Sequence, residues 1–176
     1  LWLLALLALL VVSGALKPPM DFDVLEYHLQ APKEFFQNGR LGFLPHNVYA
    51  NMPLGASMHA LAMMAITNNW YLGAMVGKTV IGCFALLTTA ATYSFGCRFC
   101  SRSTGIVAAI IYLSTPWVLQ VASDGLVDDV VGCYSILTFY ALALWQRATT
   151  DGEHVIAMRR LILCGLMAGS AVACKY

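Results

Sequence analysis

The sequence predicts an all-α fold, a multi-pass transmembrane helical bundle. Hydrophobic residues make up 60% of the chain and charged residues 11%, whereas soluble domains average roughly 45–50% and about 25%. The charges are bunched, so that 1–16, 79–97 and 103–123 carry none, and uncharged apolar runs of this kind are typical of membrane spans. The net charge of +1, without a basic block, excludes nucleic acid as a partner.

Successive apolar runs indicate the order of the spans. Because the first and last runs stand at the ends of the chain, we expect them to be truncated spans of a longer transmembrane domain, of which 1–176 is the N-terminal part. Residues 17–70 form the long polar stretch and are predicted to be a large extracytoplasmic first loop that contains short interfacial helices. The predicted spans are 1–16 (truncated), 71–97, 105–122, 130–146 and 161–176 (truncated).

Residues 53–67 decide the topology. The segment is apolar but shorter than the roughly 20 residues that a crossing requires, so we expect an interfacial helix. The arginines that follow the later spans then share one side, which the positive-inside rule makes cytoplasmic, and the acidic loops share the outer side. A crossing at 53–67 is the alternative, and it would move Asp128 to the cytoplasm. These arginines are Arg98, Arg102, Arg147, Arg159 and Arg160.

The first loop carries a group of acids. Asp23, Glu26 and Tyr27 share one helical face by their spacing of three and four residues. The simpler interpretation, which spacing alone favours, is a capping box in which Asp23 and Glu26 satisfy the free amides of a helix start. The functional interpretation is a carboxylate outside the membrane that acts as general base on an acceptor hydroxyl.

Other polar side chains of this loop offer several roles. His28, Lys33, Arg40 and His46 could bind a metal, steady a phosphate or only solvate the loop, and solvation is favoured for the two histidines. We assign no metal ligands and expect no cofactor, although a divalent metal remains compatible with these residues.

The turn at 123–129 brings further carboxylates to the predicted outer face. Asp124, Asp128 and Asp129 precede the span that begins at Val130, where acids favour the helix dipole. If this turn meets the first loop, the two sets of acids form one site. Lys78, inside an apolar run, is expected to extend its ammonium group to the interface, although a charge within a span is also a functional candidate.

Two sets of motifs resemble a known family. The spacing Asp23-x-x-x-Tyr27, followed by Gly39 and by Tyr49-x-x-x-Pro53-Leu54, resembles the first lumenal loop of GT-C class membrane glycosyltransferases, in the branch of protein mannosyltransferases and aminoarabinose transferases. Val24 follows Asp23 where that family usually has an acid, so that Glu26 or Asp21 would stand in. Later motifs that look like the family's are Thr115-Pro116-Trp117, Gly125-Leu126-Val127-Asp128, and Gly165 to Gly169 leading to Lys175-Tyr176.

The resemblance implies transfer of a sugar from a polyprenyl-phosphate donor to an acceptor hydroxyl at the outer membrane face. The implied partners are this donor, membrane lipid, and an acceptor glycan, lipid or protein. We expect a bacterial inner membrane as the location, and no activity from the isolated segment. The residues assigned to catalysis are Asp23, Glu26 and Asp128, and those assigned to substrate binding are Tyr27, His28, Lys33, Arg40, His46 and Tyr49.

Two rivals to the glycosyltransferase follow from the same composition. A secondary transporter also has many spans, but it binds substrate near the midplane with buried charges and broken helices. A non-catalytic membrane scaffold would tolerate neutral residues in place of the loop acids.

Overall fold

Helices make up nearly all of the regular structure in the computed structural model, which describes residues 2–175. Within that range there are eight α-helices and no strand, as the composition predicts; Leu1 and Tyr176, at the ends of two predicted spans, lie outside the described residues. A π-helical turn, Val24–His28, and a 3-10 turn, Tyr49–Asn51, interrupt the first loop. The α-helices are α1 Trp2–Ala15, α2 Gln30–Asn38, α3 Met58–Thr67, α4 Trp70–Phe99, α5 Arg102–Ser114, α6 Pro116–Asp124, α7 Asp128–Thr150 and α8 His154–Cys174.

Two of the described helices, α4 and α8, are long and apolar enough to cross a membrane. A third crossing results if α5 and α6 are counted as one broken span. Helix α7 contains the predicted span 130–146 but is less apolar than α4 and α8. Helix α8 has 21 residues because it begins at His154, seven residues before the predicted start at Leu161, so its described part is long enough to cross.

The predicted span 105–122 is bent by 60° between α5 and α6. Pro116 is the first residue of α6, where its missing amide hydrogen costs no hydrogen bond. The residue before a proline avoids the helical region, and Thr115 is extended, with φ −67° and ψ 119°. The local chemistry of Thr115-Pro116 therefore explains the break.

The segment 53–67 forms a short helix that doubles back onto the next one. Helix α3 has 10 residues, about 15 Å, half of the roughly 30 Å hydrocarbon core, and is too short to cross alone. Gly73 and Gly77 of α4 let its backbone approach α3: a Cβ added to them would lie 2.2 Å from the Met64 Cα and 2.4 Å from the Ala60 Cα. Asn68, with φ 47°, makes the turn between the helices.

The first loop packs on this hairpin through an apolar cluster. Val24 and Leu29 of the loop are buried against Ala60 and Met64 of α3. The π-helical turn thereby has one face fixed to the helices, and its position relative to the bundle is set by burial of apolar area.

Lys78 lies inside the bundle. Its side chain is fully buried and its ammonium group donates hydrogen bonds to the carbonyl oxygens of Ala15 at 3.1 Å, Lys17 at 2.8 Å and Ser123. The ammonium group of Lys78 therefore binds carbonyl oxygens at helix ends and is not exposed to solvent. Helix C-termini present unpaired carbonyls and a partial negative charge, and one lysine here satisfies the ends of both α1 and α6.

Candidate functional site

Asp21 caps the π-helical turn in place of Asp23. The Oδ1 atom of Asp21 accepts hydrogen bonds from the amides of Asp23, at 2.9 Å, and Val24, at 3.3 Å. The Asp23 carboxylate makes no capping hydrogen bond, so the predicted capping box of Asp23 and Glu26 is wrong. Because a residue two positions earlier satisfies the free amides, the exposed carboxylate of Asp23 is not committed to the helix start.

His28 ends the same turn and is buried. A hydrogen bond of 3.0 Å joins its Nδ1 atom to the Ser57 hydroxyl, which is buried as well. Burial lowers the pKa of His28 from 6.5 to about 4, an effect that the nearby Asp23 carboxylate partly opposes. His28 is therefore neutral at pH 7 and tied to the start of α3, rather than solvated in the loop as predicted.

A cavity of about 270 Å³ opens beside this turn. Its wall combines a carboxylate, two tyrosines and a lysine: Asp23, Tyr27, Tyr49 and Lys175. The ring centroid of Tyr27 lies 4.2 Å from that of His28 and 5.4 Å from that of Tyr49. The cavity falls just below the roughly 300–1,000 Å³ of most ligand pockets, a size suited to a group such as one sugar ring.

Asp128 forms an ion pair with Lys175, which lines the same cavity. The ammonium group of Lys175, which lines the cavity, lies 2.8 Å from the Asp128 carboxylate. Both side chains are 45% exposed, and ion pairs in such surroundings contribute only about 0–1 kcal/mol. The two acidic segments predicted to meet are thus at one end of the helices, and Lys175 stands between them as a cation that a negatively charged ligand could recruit.

Four predicted site residues do not line this cavity: Glu26, Lys33, Arg40 and His46. Lys33 stacks on the ring of Trp70, 4.2 Å from its centroid. The Nε2 atom of His46 lies 3.1 Å from the Glu34 carboxylate.

Arg40 lines a different surface pocket at the end of α2. Glu26 accepts a hydrogen bond from Asn47 through its backbone carbonyl, and its side chain does not line the cavity. These positions do not support the substrate-binding roles predicted for Lys33, Arg40 and His46. They also do not support the catalytic role predicted for Glu26.

Asp129 is an acid whose burial the sequence pattern did not reveal. It is 4% exposed, its Oδ1 accepts a long hydrogen bond of 3.5 Å from the Tyr112 hydroxyl, and its Oδ2 has no hydrogen-bond partner among the described residues. The sequence contained one sign of this burial: Asp129 lies four residues before Cys133, on the apolar face of α7. Lys175 and Ser57 were also missed as site residues, because both meet the first loop only through long-range contacts.

Metal binding finds little basis in the described residues. Among residues 2–175 no group of three histidine, cysteine, aspartate or glutamate side chains is placed to hold an ion. The cation beside Asp128 is the ammonium group of Lys175, at 2.8 Å.

Comparison with known proteins provides no relative. The chain matches no protein-family model, no curated protein and no solved structure. Its function is therefore inferred from the residues and their geometry.

Proposed function

We propose that this chain belongs to a multi-pass membrane glycosyltransferase that moves a sugar from a polyprenyl-phosphate donor to an acceptor hydroxyl. One observation carries the proposal: the Asp23 carboxylate, free of the capping role, shares a sugar-sized cavity with two tyrosines and Lys175. Aromatic rings and a positioned carboxylate are the groups that a sugar and an acceptor hydroxyl require.

In the proposed reaction the acceptor oxygen forms a bond to the anomeric carbon of the sugar. Asp23 takes the proton of the acceptor hydroxyl, and the bond between the anomeric carbon and the phosphate oxygen breaks. The polyprenyl phosphate leaves with that electron pair. The cation that offsets its charge would be Lys175, in place of the predicted Lys33 or Arg40, because Lys175 lines the cavity and its ion pair with Asp128 is half exposed.

The proposal includes a topology. Asp23 and Asp128 would face the outer side of a bacterial inner membrane, with the arginines near the opposite helix ends, between α4 and α5 and between α7 and α8, in the cytoplasm. Support comes from Lys175, which follows α8, pairs with Asp128 at the α7 start and lines the same cavity as Asp23. Cysteine labelling at positions 128 and 101, in a background without the six native cysteines, tests the topology. Labelling of position 128 from outside and of 101 only after permeabilisation agrees with it, and the reverse pattern excludes it.

The test of function is the transfer activity of Asp23→Asn in the full-length protein. Removal of a general base typically lowers the rate about 10²–10⁴-fold. Asp21→Asn is the matched control, since it removes the same charge two residues away and asparagine also caps helices well; we expect its activity to stay within a fewfold of wild type. Equal activity of the two variants, or full activity of Asp23→Asn, would contradict the proposal.

A secondary transporter is the second candidate, and Asp129 favours it. A carboxylate buried among helices with one unpartnered oxygen is the kind of group that proton-coupled transporters use. The two candidates separate by the pair Asp129→Asn and Asp23→Asn. Loss of substrate uptake into proteoliposomes from Asp129→Asn alone favours transport, whereas loss of sugar transfer from Asp23→Asn alone favours the glycosyltransferase.

A further inference from the structure

Two apolar cavities follow one face of α4, and together they are called the groove. The upper cavity, of about 350 Å³, lies between the first loop and the start of α4 and includes Pro18, Leu25 and Trp70. The lower cavity, of about 620 Å³, follows α4 and includes Leu87. Met75 lines both cavities, so the two are neighbours at this residue.

The π-helical turn separates this groove from the cavity at Asp23. Asp23 and Tyr27 face that cavity, whereas Leu25 and Leu29 line the upper part of the groove. The groove is therefore a second site, and it does not depend on the proposed glycosyltransferase function.

The lower cavity is shorter than a bilayer is thick. The α4 residues that line it run from Leu72 to Leu87, about 22 Å at 1.5 Å per residue. This length lies within the roughly 30 Å hydrocarbon core. Because α4 is a candidate membrane span, the lower cavity would lie among the lipid chains.

The upper end of the groove carries positive charge. Lys33 lines the upper cavity and stacks on Trp70, and Lys17 stands in the chain between Leu16 of the lower cavity and Pro18 of the upper one. No acidic residue lines either cavity, and no salt bridge to Lys17 or Lys33 is found within residues 2–175. Cations beside an aromatic ring at a span end are typical of the headgroup region.

From this combination we infer that the groove binds one anionic phospholipid, with an acyl chain along α4 and the phosphate beside Lys33 and Lys17. A lower cavity of about 22 Å, which ends within the hydrocarbon core, suits an ordinary acyl chain better than a longer polyprenyl chain. Neither lysine forms a salt bridge within residues 2–175, so both are available to the phosphate.

Native mass spectrometry of the full-length protein, taken from vesicles that mix phosphatidylglycerol and phosphatidylcholine with identical acyl chains, tests the inference. We expect preferential retention of phosphatidylglycerol. One lysine near a lipid headgroup contributes about fivefold in binding, so Lys33→Gln should lower the ratio of phosphatidylglycerol to phosphatidylcholine about fivefold. Arg40→Gln removes the same charge from the loop outside the groove and should leave the ratio unchanged.

A second pair of variants tests the tail. Met75→Trp fills the junction of the two cavities and should reduce retention of both lipids, whereas Ile111→Trp, at an exposed position of α5, should not. Lys33→Arg keeps the charge and should keep the ratio, which separates charge from folding. The inference is overturned if Lys33→Gln retains the wild-type ratio, if both lipids bind equally to the wild type, or if polyprenyl phosphate displaces phosphatidylglycerol from the groove.

Discussion

Replacing Lys78 with methionine tests whether one ammonium group holds two helix ends together. The fully buried Lys78 donates hydrogen bonds to the carbonyl oxygens of Ala15 at 3.1 Å, Lys17 at 2.8 Å and Ser123. Methionine fills most of the same apolar volume but donates no hydrogen bond. The variant would leave all three carbonyl oxygens without this donor.

The magnitude follows from two opposing contributions. Hydrogen bonds from a charged donor are worth about 1.5–3 kcal/mol each, which gives about 5–9 kcal/mol for three. Methionine, however, avoids the desolvation penalty of a buried ammonium group, which offsets several kcal/mol of this loss. We expect Lys78→Met to lower the free energy of unfolding by about 2–5 kcal/mol, or the melting temperature by about 5–15 °C for a chain of this size.

The assay is thermal unfolding of the detergent-solubilised protein, followed by tryptophan fluorescence. Lys17→Met is the matched control, because the Lys17 side chain is exposed and such substitutions usually change stability by less than about 0.5 kcal/mol. If Lys78→Met melted at the same temperature as Lys17→Met, the three hydrogen bonds would contribute no net stability and the reasoning would be refuted.

Two further variants test the helix packing and the buried histidine. Gly77→Ala should destabilise the protein by about 1–3 kcal/mol in the same melting assay, because the new Cβ would lie 2.4 Å from the Ala60 Cα. A Cβ added at Gly165 would meet no neighbouring atom within 4 Å, so Gly165→Ala should stabilise the protein by about 0.5–1 kcal/mol. If both variants changed the stability in the same direction, the close packing of α3 on α4 would be contradicted. The pKa of His28 is about 4 in the folded protein, against the ordinary value of 6.5 that an unfolded chain has. The unfolded chain therefore binds the proton first, and stability, full above pH 6.5, falls by up to about 3 kcal/mol towards pH 4. His28→Gln should remove this slope in melting curves recorded against pH, and His46→Gln should leave it in place.

Sequence patterns predicted the elements well wherever the cause is local. The apolar run 71–97 indicates a helix close to the observed α4, Trp70–Phe99. The cap of α4 by Asn69 and the break at Thr115 were not predicted, although Asn69 precedes the helix directly and Pro116 follows Thr115. Such features depend on residues within a few positions of each other, which the printed order of the chain shows directly.

The candidate site was predicted only in part. Asp23, Tyr27, His28 and Tyr49 do surround one cavity, since they lie close together in one loop. Lys175 could not be assigned to it, because more than a hundred residues separate it from that loop and only the packing of the helices brings it there.

The sequence by itself determined that this protein is helical and contains helices long and apolar enough to cross a membrane, because hydrophobic composition and period act along the chain. Only the tertiary structure decided that Asp23 is free while Asp21 caps the turn, that Asp129 is buried beside Tyr112, and that Lys78 joins α1 to α6. Each of these facts depends on which face of a helix meets which neighbour. A buried polar group must find a partner across the fold, and the identity of that partner is set by packing rather than by order in the chain.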